Sequence, residues 1–476
     1  MTEFNSEGAL YELLARGNKD VYFQSDTLTS QSPFRNNYKR VSAYIHELRK
    51  IPPTNNTDFG KTIEFNFEVA GDLYTHPTLL IDLPSWYPNN QTYIDINNKQ
   101  QQIYYDKSVV YDNLSNTYGY TSGIGYFLFE QIQIYQDQIM VQEFSGDALY
   151  ATRLSRGSLN SATLENELVG LHDGSDVSVS RNGKPNILRL ELPLLGCQHK
   201  DDGGFPSFAV RSQNFRLRCK LRNLEDLIES SDSQVKPNPF SKTMYVQSYS
   251  SQVSRTPIQT LDRYSIGQPT IYLETRHIYV DPDTQKGLVD SYLETPFSRL
   301  YENIFYFNEK DYTPLARGAL ADTTKRIDAV HPASRIVFFL RQQSDLQKNK
   351  LWKISSDVSN NEYYNNISLL IASRDRESLF PPLVWNTLTQ HAKEDRYSGS
   401  GLGVMCWDLG EQKGRRAPFA RQPEGTLNFS TADRPTFYIE LQQIAGSNRN
   451  TEMRLIVDTW ASYEIEDRRG NLKYAN

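Results

Sequence analysis

Apolar residues alternate with polar ones in many short segments of this chain. Residues 61–69 read KTIEFNFEV and place four apolar side chains on one face, which is typical of a half-buried strand. Residues 187–195 and 453–465 show the same period of two. Gly, Asn, Asp and Pro lie between such segments, as they do in turns. The pattern therefore predicts a chain dominated by short β-strands.

Helical spacing is confined to a few short segments. Residues 9–17 place three leucines on one face and end at a glycine, which predicts a helix too short to be stable unless it docks on another surface. Residues 147–154 and 163–171 also have helical spacing. A further short helix is predicted within residues 224–230. These helices would lie in loops between the strands.

Two long segments are polar and weakly periodic. Residues 84–123 are rich in Asn, Gln and Tyr, and a polar segment of this length predicts a functional surface loop. Residues 223–267 are rich in Ser, Gln, Asn and Pro and predict a connection between domains. On either side of this connection, residues 132–137 and 370–375 share a similar spacing of apolar residues and aspartate. The two halves therefore look like a structural duplication.

These segments predict four parts in the chain. They are an N-terminal segment with a short helix (1–40), a first β-domain (41–223), a linker (224–267) and a second β-domain (268–476). The length of 476 residues agrees with two or three domains that each bury a core.

Composition narrows the functional class. The chain contains 30 tyrosines and 22 phenylalanines, which favours β structure. Its formal net charge of -6 argues against a groove that follows a nucleic-acid backbone. The three cysteines, Cys197, Cys219 and Cys406, lie far apart and indicate free thiols in a reducing compartment. No apolar run approaches the roughly 20 residues of a membrane span, and the first residues do not resemble a signal peptide. We expect a soluble, cytosolic, β-rich protein.

The sequence contains no motif that points to catalysis. The seven histidines form none of the usual metal-binding spacings, and no phosphate-binding glycine loop or nucleophile elbow is present. Residues 399–403 are glycine-rich but lack the third glycine of a dinucleotide fingerprint, and they predict a flexible loop. Cys406 beside Trp407 is typical of a core thiol. We therefore expect no catalytic residue, no cofactor and no metal site.

One segment, residues 425–440, carries more specific information. From these residues alone it predicts a turn followed by a strand, as in a β-hairpin of any β-sandwich. Its motif consists of Pro423, Gly425, Asn428, Phe429, Ser430 and Asp433. This motif resembles a segment in the second half of the major capsid proteins of nucleocytoplasmic large DNA viruses, of the phycodnavirus, iridovirus and marseillevirus type.

Further segments extend the resemblance in the same order along the chain. Residues 17–22 have the form Gly-x-x-Asp-x-Tyr, and Gly71 and Asp72 stand between two predicted strands. Pro193 lies in a Leu-Pro-Leu strand that precedes a glycine-rich turn. That turn departs from the family, because Phe205 and Pro206 replace the usual Ala-Leu-Pro. The resemblance covers most of residues 17–221 and 268–465.

The resemblance implies an all-β fold of two tandem eight-stranded antiparallel jelly rolls with a few short helices in loops. It implies a structural virion protein, the major capsid subunit, which forms a homotrimer with a pseudo-hexagonal outline and tiles an icosahedral shell. Within the same class, a less abundant capsid subunit or an assembly scaffold also has this fold. The implied partners are copies of itself, neighbouring capsomers, minor capsid proteins and a host surface met by the outer loops, with no direct nucleic-acid contact and no transmembrane segment. The implied location is the outer shell of a virion assembled in the host cytoplasm.

A second class of function also fits a jelly roll. A carbohydrate-binding module or a glycan-processing enzyme can be built on this fold, and it would use aromatic side chains on an exposed face. Trp86, Tyr87 and Trp385 are candidates for that role.

Overall fold

The structure is a computed structural model, and the residues that it describes are 43–67, 71–84, 92–94, 100–102, 108–112, 114, 116–156, 162–171, 187–198, 204–210, 213–232, 235–240, 242–248, 256–260, 267–294, 297–306, 322–354, 364–388, 401–407, 423, 425–441, 451–466 and 468–473. The predicted N-terminal segment 1–40, with its helix at 9–17, lies outside these residues.

Strands run through both halves of the described chain. In the first half they are β1 (Tyr44–Ile51), β2 (Thr62–Phe67), β3 (Leu73–Asp82), β4 (Thr92–Ile94), β5 (Gln100–Gln102), β6 (Ser108–Asp112), β7 (Tyr118–Tyr120), β8 (Phe129–Gln136), β9 (Ile139–Phe144), β10 (Leu188–Glu191), β11 (Phe215–Leu221), β12 (Ile228–Ser230), β13 (Thr243–Ser248), β14 (Thr256–Thr260) and β15 (Thr270–Val280). In the second half they are β16 (Phe297–Tyr306), β17 (Asp322–Arg326), β18 (Pro332–Gln342), β19 (Tyr364–Ile371), β20 (Arg374–Phe380), β21 (Leu402–Cys406), β22 (Leu427–Asn428), β23 (Thr436–Leu441), β24 (Thr451–Glu466) and β25 (Arg469–Leu472).

The helices are short and lie between strands. They are α1 (Ile124–Phe127), α2 (Gly146–Arg156), α3 (Ala162–Val169), α4 (Pro282–Glu294) and α5 (Gln343–Gln347), with 3₁₀ turns at Ser207–Val210 and Leu224–Leu227 and a π-helical turn at Leu383–Leu388. The helices predicted at 147–154 and 163–171 correspond to α2 and α3. The helix predicted at 224–230 is only a 3₁₀ turn, because the chain leaves it directly into β12.

Eight strands of the first half form two antiparallel sheets. One has the order β1-β15-β3-β10 and the other the order β2-β11-β8-β9. If these eight strands are numbered along the chain, the two sheets read 1-8-3-6 and 2-7-4-5. Two four-stranded sheets connected in this crossed order form a jelly roll.

The second half repeats the same topology. Its sheets have the orders β16-β24-β18-β21 and β17-β23-β19-β20, which again read 1-8-3-6 and 2-7-4-5, with β22 and β25 as additions. The residues compared in the sequence, 132–137 and 370–375, indeed include the ends of the fourth strands, β8 and β19. The prediction of an all-β chain with two tandem eight-stranded jelly rolls is confirmed.

The strand order places β15 in the first jelly roll, whereas the sequence predicted it in the second. β15 was expected to open the second jelly roll, but it pairs with β3, with Ile271 opposite Ile81 and Leu273 opposite Leu79. The buried side chains of Ile271 and Leu273 complete the first core. Helix α4 then follows β15 toward the second jelly roll, and so the connection between the jelly rolls lies after residue 280 and not at 224–267.

The predicted linker is instead an insertion before the last strand of the first jelly roll. Its described parts include β12, which pairs with β7, and β13, which pairs with β6 and β14. β6 and β7 belong to the polar segment 84–123 that was predicted as an outer loop. The two polar segments thus pair with each other, a long-range contact that weak local periodicity does not reveal.

One sheet of the second jelly roll is buried on both faces. On β18, Phe338 and Leu340 point into the second core, whereas Val337 and Phe339 pack in the cluster formed by the first half. On β24, Leu455 and Val457 pack with the second core and Ile456 with the first, so the same alternation holds there. The sheet β16-β24-β18-β21 is therefore the layer through which the two jelly rolls are joined.

Candidate assembly surfaces

A buried ion pair crosses the contact between the two jelly rolls. Asp147, near the start of α2, accepts a hydrogen bond from Arg341 on β18, with 2.6 Å between Oδ1 and Nη2. Arg222 lies 3.4 Å from the other carboxylate oxygen. Burial raises the pKa of Asp147, but the charges of Arg341, Arg222 and Arg454 outweigh burial and hold it well below its usual range. The carboxylate stays ionised and fixes α2 against β18.

The guanidinium of Arg341 is also held between aromatic rings. It lies 4.9 Å from the ring centre of Phe339 and 5.6 Å from that of Phe127. Beside it on β24, Glu452 contacts Arg454. Burial raises the pKa of Glu452, and the nearby arginines oppose this shift. Buried charged side chains are thus enclosed by apolar groups at this contact, and each charge is stabilised by a neighbour of opposite sign.

Three glutamines of the first half bind backbone groups of the second. The side chain of Gln198 bonds both ways with the backbone of Glu302, at 2.6 and 3.0 Å. Gln136 donates to the carbonyl of Gly470 at 2.6 Å, and Gln213 both donates to and accepts from the backbone of Gly470. Such bonds are directional, so they set the angle between the jelly rolls as well as their separation.

Glu229 connects three parts of the chain. Its Oε1 accepts hydrogen bonds from the Thr121 hydroxyl at 2.5 Å, the Trp352 indole at 2.9 Å and the Ser122 backbone at 3.2 Å. Burial raises the pKa of Glu229, and these hydrogen bonds act in the opposite direction. Trp352 belongs to the second half, so Glu229 joins the insertion before β15 to both jelly rolls.

The edge strand β1 is the most open strand of the first jelly roll. No residue of β1 is buried, and the side chains of Ile45 and Leu48 are 70% and 57% exposed. Among the described residues β1 is hydrogen-bonded to β15 alone, which leaves its other edge free in that part of the chain. A free edge with apolar side chains is a surface on which another strand can dock.

A second apolar surface lies on the outer edge of the second jelly roll. Leu379 and Phe380, at the end of β20, are each 40% exposed, and Leu383 in the following π-helical turn is 63% exposed. β20 stands at the end of its sheet among the described strands. We call these three residues the β20 patch. Exposed apolar side chains that lie close together along the chain are candidates for a contact surface.

The motif that carried the sequence resemblance closes the second jelly roll. Phe429 is buried in the second core with its ring 6.0 Å from that of Trp407. The Ser430 hydroxyl accepts a hydrogen bond from the His331 backbone at 2.8 Å, and the Asn428 side chain accepts one from the Ser430 backbone at 3.0 Å. The motif thus fixes the chain just before β18 begins.

The same segment is not the hairpin that its residues predict. β22 pairs with β18, whereas β23 pairs with β17 and β19, so the motif carries the chain from one sheet to the other. The carboxylate of Asp433 is exposed, and its backbone carbonyl accepts a hydrogen bond from Ala372 at 2.7 Å. Pro423 is exposed and Gly425 partly buried at the start of the segment.

The remaining motif residues stabilise the first jelly roll. Asp72 is buried, and its carboxylate accepts hydrogen bonds from the Val280 backbone at 3.0 Å and from the Gln285 side chain. A Cβ at Gly71 would lie 3.1 Å from the carbonyl of Ile278, so the glycine allows this close approach. The carbonyl of Pro193 accepts a hydrogen bond from Gln198 at 3.2 Å. Residues 17–22 lie outside the described residues.

The described residues give little support for a metal site, a membrane-spanning helix or a sugar-stacking site. They contain no group of three or more His, Cys, Asp or Glu side chains able to hold a metal ion. No helix in the described part of the chain has the length and apolar character needed to cross a membrane. Cys219 is buried, and burial raises the pKa of its thiol. Trp385, proposed for sugar stacking, is buried and donates its indole N–H to the carbonyls of Ile367 and Phe380. Trp86 and Tyr87 lie outside the described residues.

Comparison with solved structures identifies the fold. The structure of VP54 from PBCV-1, fitted into a cryo-EM reconstruction of the virophage Sputnik, aligns with a TM-score of 0.67 at 13% identity over 93% of this chain and 100% of that chain. The Faustovirus major capsid protein aligns with a TM-score of 0.58 at 12% identity, over 94% of this chain and 96% of that chain. No family model matches the sequence, and no curated protein matches it either. At identities of 12–13%, this similarity establishes the fold alone. It confirms the double jelly-roll fold that the sequence resemblance implied.

Proposed function

We propose that this chain is a structural capsid protein, the main subunit of the outer shell of a large DNA virus. The observation that carries the proposal is the pair of jelly rolls with identical strand order, 1-8-3-6 and 2-7-4-5, in one chain. The Faustovirus major capsid protein shares this fold over nearly its whole length. The role depends on surface shape and needs no reacting residue.

The subunit acts as a homotrimer with a pseudo-hexagonal outline. Two similar jelly rolls in each of three chains supply six similar bodies around one axis. The buried contact through β18 and β24 supports this role, because a ring closes only if the two jelly rolls of each chain keep a constant angle. The β20 patch supplies an apolar surface for the contact between chains, as expected of an obligate interface.

The partners of the trimer are neighbouring capsomers and minor capsid proteins of the same shell. The outer segment around residues 84–123 meets the host surface, and the chain does not contact nucleic acid directly. The protein is assembled in the host cytoplasm and resides in the virion. Many modest contacts between capsomers act together, so no single contact has to be strong. The carbohydrate-binding alternative is less well supported, because Trp385, one of its candidate sugar-stacking residues, is buried and hydrogen-bonded.

The native mass of the purified chain tests this proposal. We expect light scattering after size exclusion to give about three times the chain mass of 54.8 kDa, with particle images of the same peak showing a hexagonal outline. A monomer that remains monomeric when concentrated, and that binds soluble glycans, would contradict the capsid role and favour the carbohydrate-binding alternative.

A further inference from the structure

The connection between the two jelly rolls begins where buried polar groups hold the chain. The backbone N–H of Asp72 donates to the carbonyl of Ile278 at 2.9 Å. The carboxylate of Asp72 accepts hydrogen bonds from the Val280 backbone at 3.0 Å and from the side chain of Gln285 on α4. These bonds tie the end of β15 and the first turn of α4 to the loop before β3. We call these four residues the β15 anchor.

His277 lies directly beside the β15 anchor and is only 3% exposed. On β15 it faces Tyr74 of β3. Its Nε2 lies 2.9 Å from the hydroxyl of Thr275, which is itself fully buried. The Nδ1 atom of His277 is also buried, and it has no hydrogen-bond partner in the described part of the chain. The imidazole is therefore enclosed where the first jelly roll releases the chain to the second.

This environment fits a neutral imidazole. A neutral ring carries one N–H, which Nε2 can donate to the Thr275 hydroxyl, and Nδ1 is then left with a lone pair. A protonated ring carries an N–H on both nitrogens, so Nδ1 would become a buried donor without an acceptor. The positive charge would also be buried. Both changes cost free energy in the closed structure.

The surrounding titratable groups do not offset this cost. Among the described residues they are Glu47 and Arg49 on β1, Asp72 in the loop before β3, Tyr74 on β3 and Tyr279 on β15. Burial and Arg49 lower the pKa of His277, whereas Glu47 acts in the opposite direction. Glu47 already accepts a hydrogen bond from Tyr279 at 3.0 Å and pairs with Arg49 at 3.2 Å. Burial raises the pKa of both tyrosines, so they stay neutral.

We propose that His277 and the β15 anchor form an acid-sensitive joint, which holds the connection between the jelly rolls closed at neutral pH and opens it in mild acid. A group whose pKa is lowered by folding supports the folded state above its ordinary pKa, which is 6.5 for histidine, and this support is lost as the pH falls below that value. The ring takes up its proton once it reaches water, and for this the end of β15 has to separate from β3. The bonds of Asp72 to Val280 and Gln285 then break, and α4 is released.

The other buried acids at the contact between the jelly rolls do not produce this response. Asp147 has a pKa well below its usual range, so it stays ionised in mild acid. Burial raises the pKa values of Glu229 and Glu452, so these carboxyls take up protons in the folded state first, and acid stabilises it through them. The remaining histidines among the described residues, His46, His76 and His331, are not buried.

The joint goes beyond the proposed function, but its use rests on that function. A capsid subunit needs a constant angle between its jelly rolls while the shell is intact. A joint that opens in mild acid would loosen the subunit in an acidic compartment and leave it rigid at neutral pH.

Hydrogen exchange of the wild-type full chain tests the joint without any substitution. Exchange is measured at pH 7.5 and pH 5.5 and is corrected for the intrinsic dependence of the exchange rate on pH. We expect peptides within residues 271–290 to lose protection by up to about tenfold at pH 5.5, because one proton is linked to opening over about one pH unit. Peptides within residues 333–342, on β18, should keep their protection. Unchanged protection in residues 271–290, or an equal loss in both segments, would overturn the proposal.

A substitution then assigns the response to His277. His277→Gln keeps a polar side chain that does not titrate, and we expect it to abolish the loss of protection at pH 5.5. His76→Asn is the matched control, because His76 lies on the same sheet with its side chain 49% exposed, and asparagine tolerates its φ angle of +51°. This control should keep the full acid response. An acid response in His277→Gln equal to that of the wild type would refute the assignment, and if His277→Gln does not fold, His277→Asn replaces it.

The exchange measurement is independent of the proposed function. A wild type that is monomeric at pH 7.5 would contradict the capsid role, and the protection of residues 271–290 would still decide whether the joint exists. If both hold, we expect trimers of the wild type to dissociate more readily at pH 5.5 than trimers of His277→Gln, as measured by light scattering across a dilution series.

Discussion

At the scale of single residues, the ring of Phe338 lies over Gly403 on the neighbouring strand. The two residues face each other in the pairing of β18 with β21, and a Cβ at Gly403 would lie 2.3 Å from the ring. The ring is fully buried and also contacts Phe437 and Tyr364, so it cannot move aside. We expect Gly403→Ala to lower the free energy of unfolding by about 1–3 kcal/mol in a denaturant titration.

Gly287 provides a matched control for this substitution. It lies on α4, and apart from its chain neighbours and the backbone of its own helix no atom lies within 4 Å of the position that a Cβ would occupy. Because alanine favours the helix over glycine, Gly287→Ala should raise stability by about 0.5–1 kcal/mol. If Gly403→Ala proved as stable as the wild type, the close contact with Phe338 would be contradicted.

The buried pair of Asp147 and Arg341 predicts a defined response to pH. The pKa of Asp147 is held below its ordinary value of 3.8, so its ionisation stabilises the folded state above that pH and the stabilisation is lost as the pH falls further. Arg341→Met removes the main partner and should lower stability at pH 7 by about 3 kcal/mol, since it leaves a buried charge poorly compensated. We also expect the variant to lose less stability than the wild type between pH 5 and pH 3.

The double variant Asp147→Leu/Arg341→Met controls for the loss of packing. It removes both charges, so it should be more stable at pH 7 than Arg341→Met alone. Urea midpoints for the wild type, Asp147→Leu, Arg341→Met and the double variant, measured at several pH values, give the coupling between the two residues. Additive effects would show that the ion pair does not join α2 to β18.

At the scale of elements, the hairpin between β19 and β20 has an unusual turn. Ile371 faces Arg374, so Ala372 and Ser373 form a two-residue loop, and their φ angles are +51° and +61°. Turns of this type favour Asn-Gly, because other residues are strained at positive φ. We expect Ala372→Asn/Ser373→Gly to raise the unfolding free energy by about 1 kcal/mol, and Ser373→Val to lower it. Equal stability of the two variants would contradict the turn assignment.

Strands in which apolar and polar residues alternate were predictable from the sequence. The alternation in residues 61–69 predicted a strand, and β2 occupies Thr62–Phe67. The helices at α2 and α3 also followed from spacing alone. The sheet to which a strand belongs is decided by contacts far along the chain, however. β15 was for that reason placed in the wrong jelly roll, although its own position was predicted closely.

Positions where packing overrides local composition were not predictable. The glycine-rich residues 399–403 predicted a flexible loop, but β21 begins at Leu402 and Gly403 lies beneath an aromatic ring. A Cβ at Gly401 would lie 2.3 Å from the carbonyl of Ile354, which requires glycine there. The charge network around Asp147 and Arg341 was also missed, because its members are distant in sequence. The unbroken apolar run in β18 was the one available signal that a sheet is buried on both faces.

At the scale of the whole molecule, the sheet shared between the two jelly rolls explains how a duplicated fold becomes one subunit. Its inner face completes the second core and its outer face packs on the first half, so neither jelly roll buries all its apolar surface without the other. The glutamines that bind Glu302 and Gly470 add directional bonds to this apolar contact. Among the described residues, β1 and the β20 patch then present exposed apolar side chains to other chains.

The β20 patch therefore predicts where association between subunits is sensitive to charge. Leu383 is 63% exposed, so a charge there does not disturb the core, and Leu383→Lys should keep the unfolding midpoint of the monomer unchanged. If the patch lies in the trimer contact, burying the lysine should weaken trimer formation by tenfold or more. Ile187 is 62% exposed and lies in the first jelly roll, just before β10, and Ile187→Lys is the matched control. Light scattering across a dilution series measures both variants, and equal trimer content in the two would place the trimer contact elsewhere on the subunit.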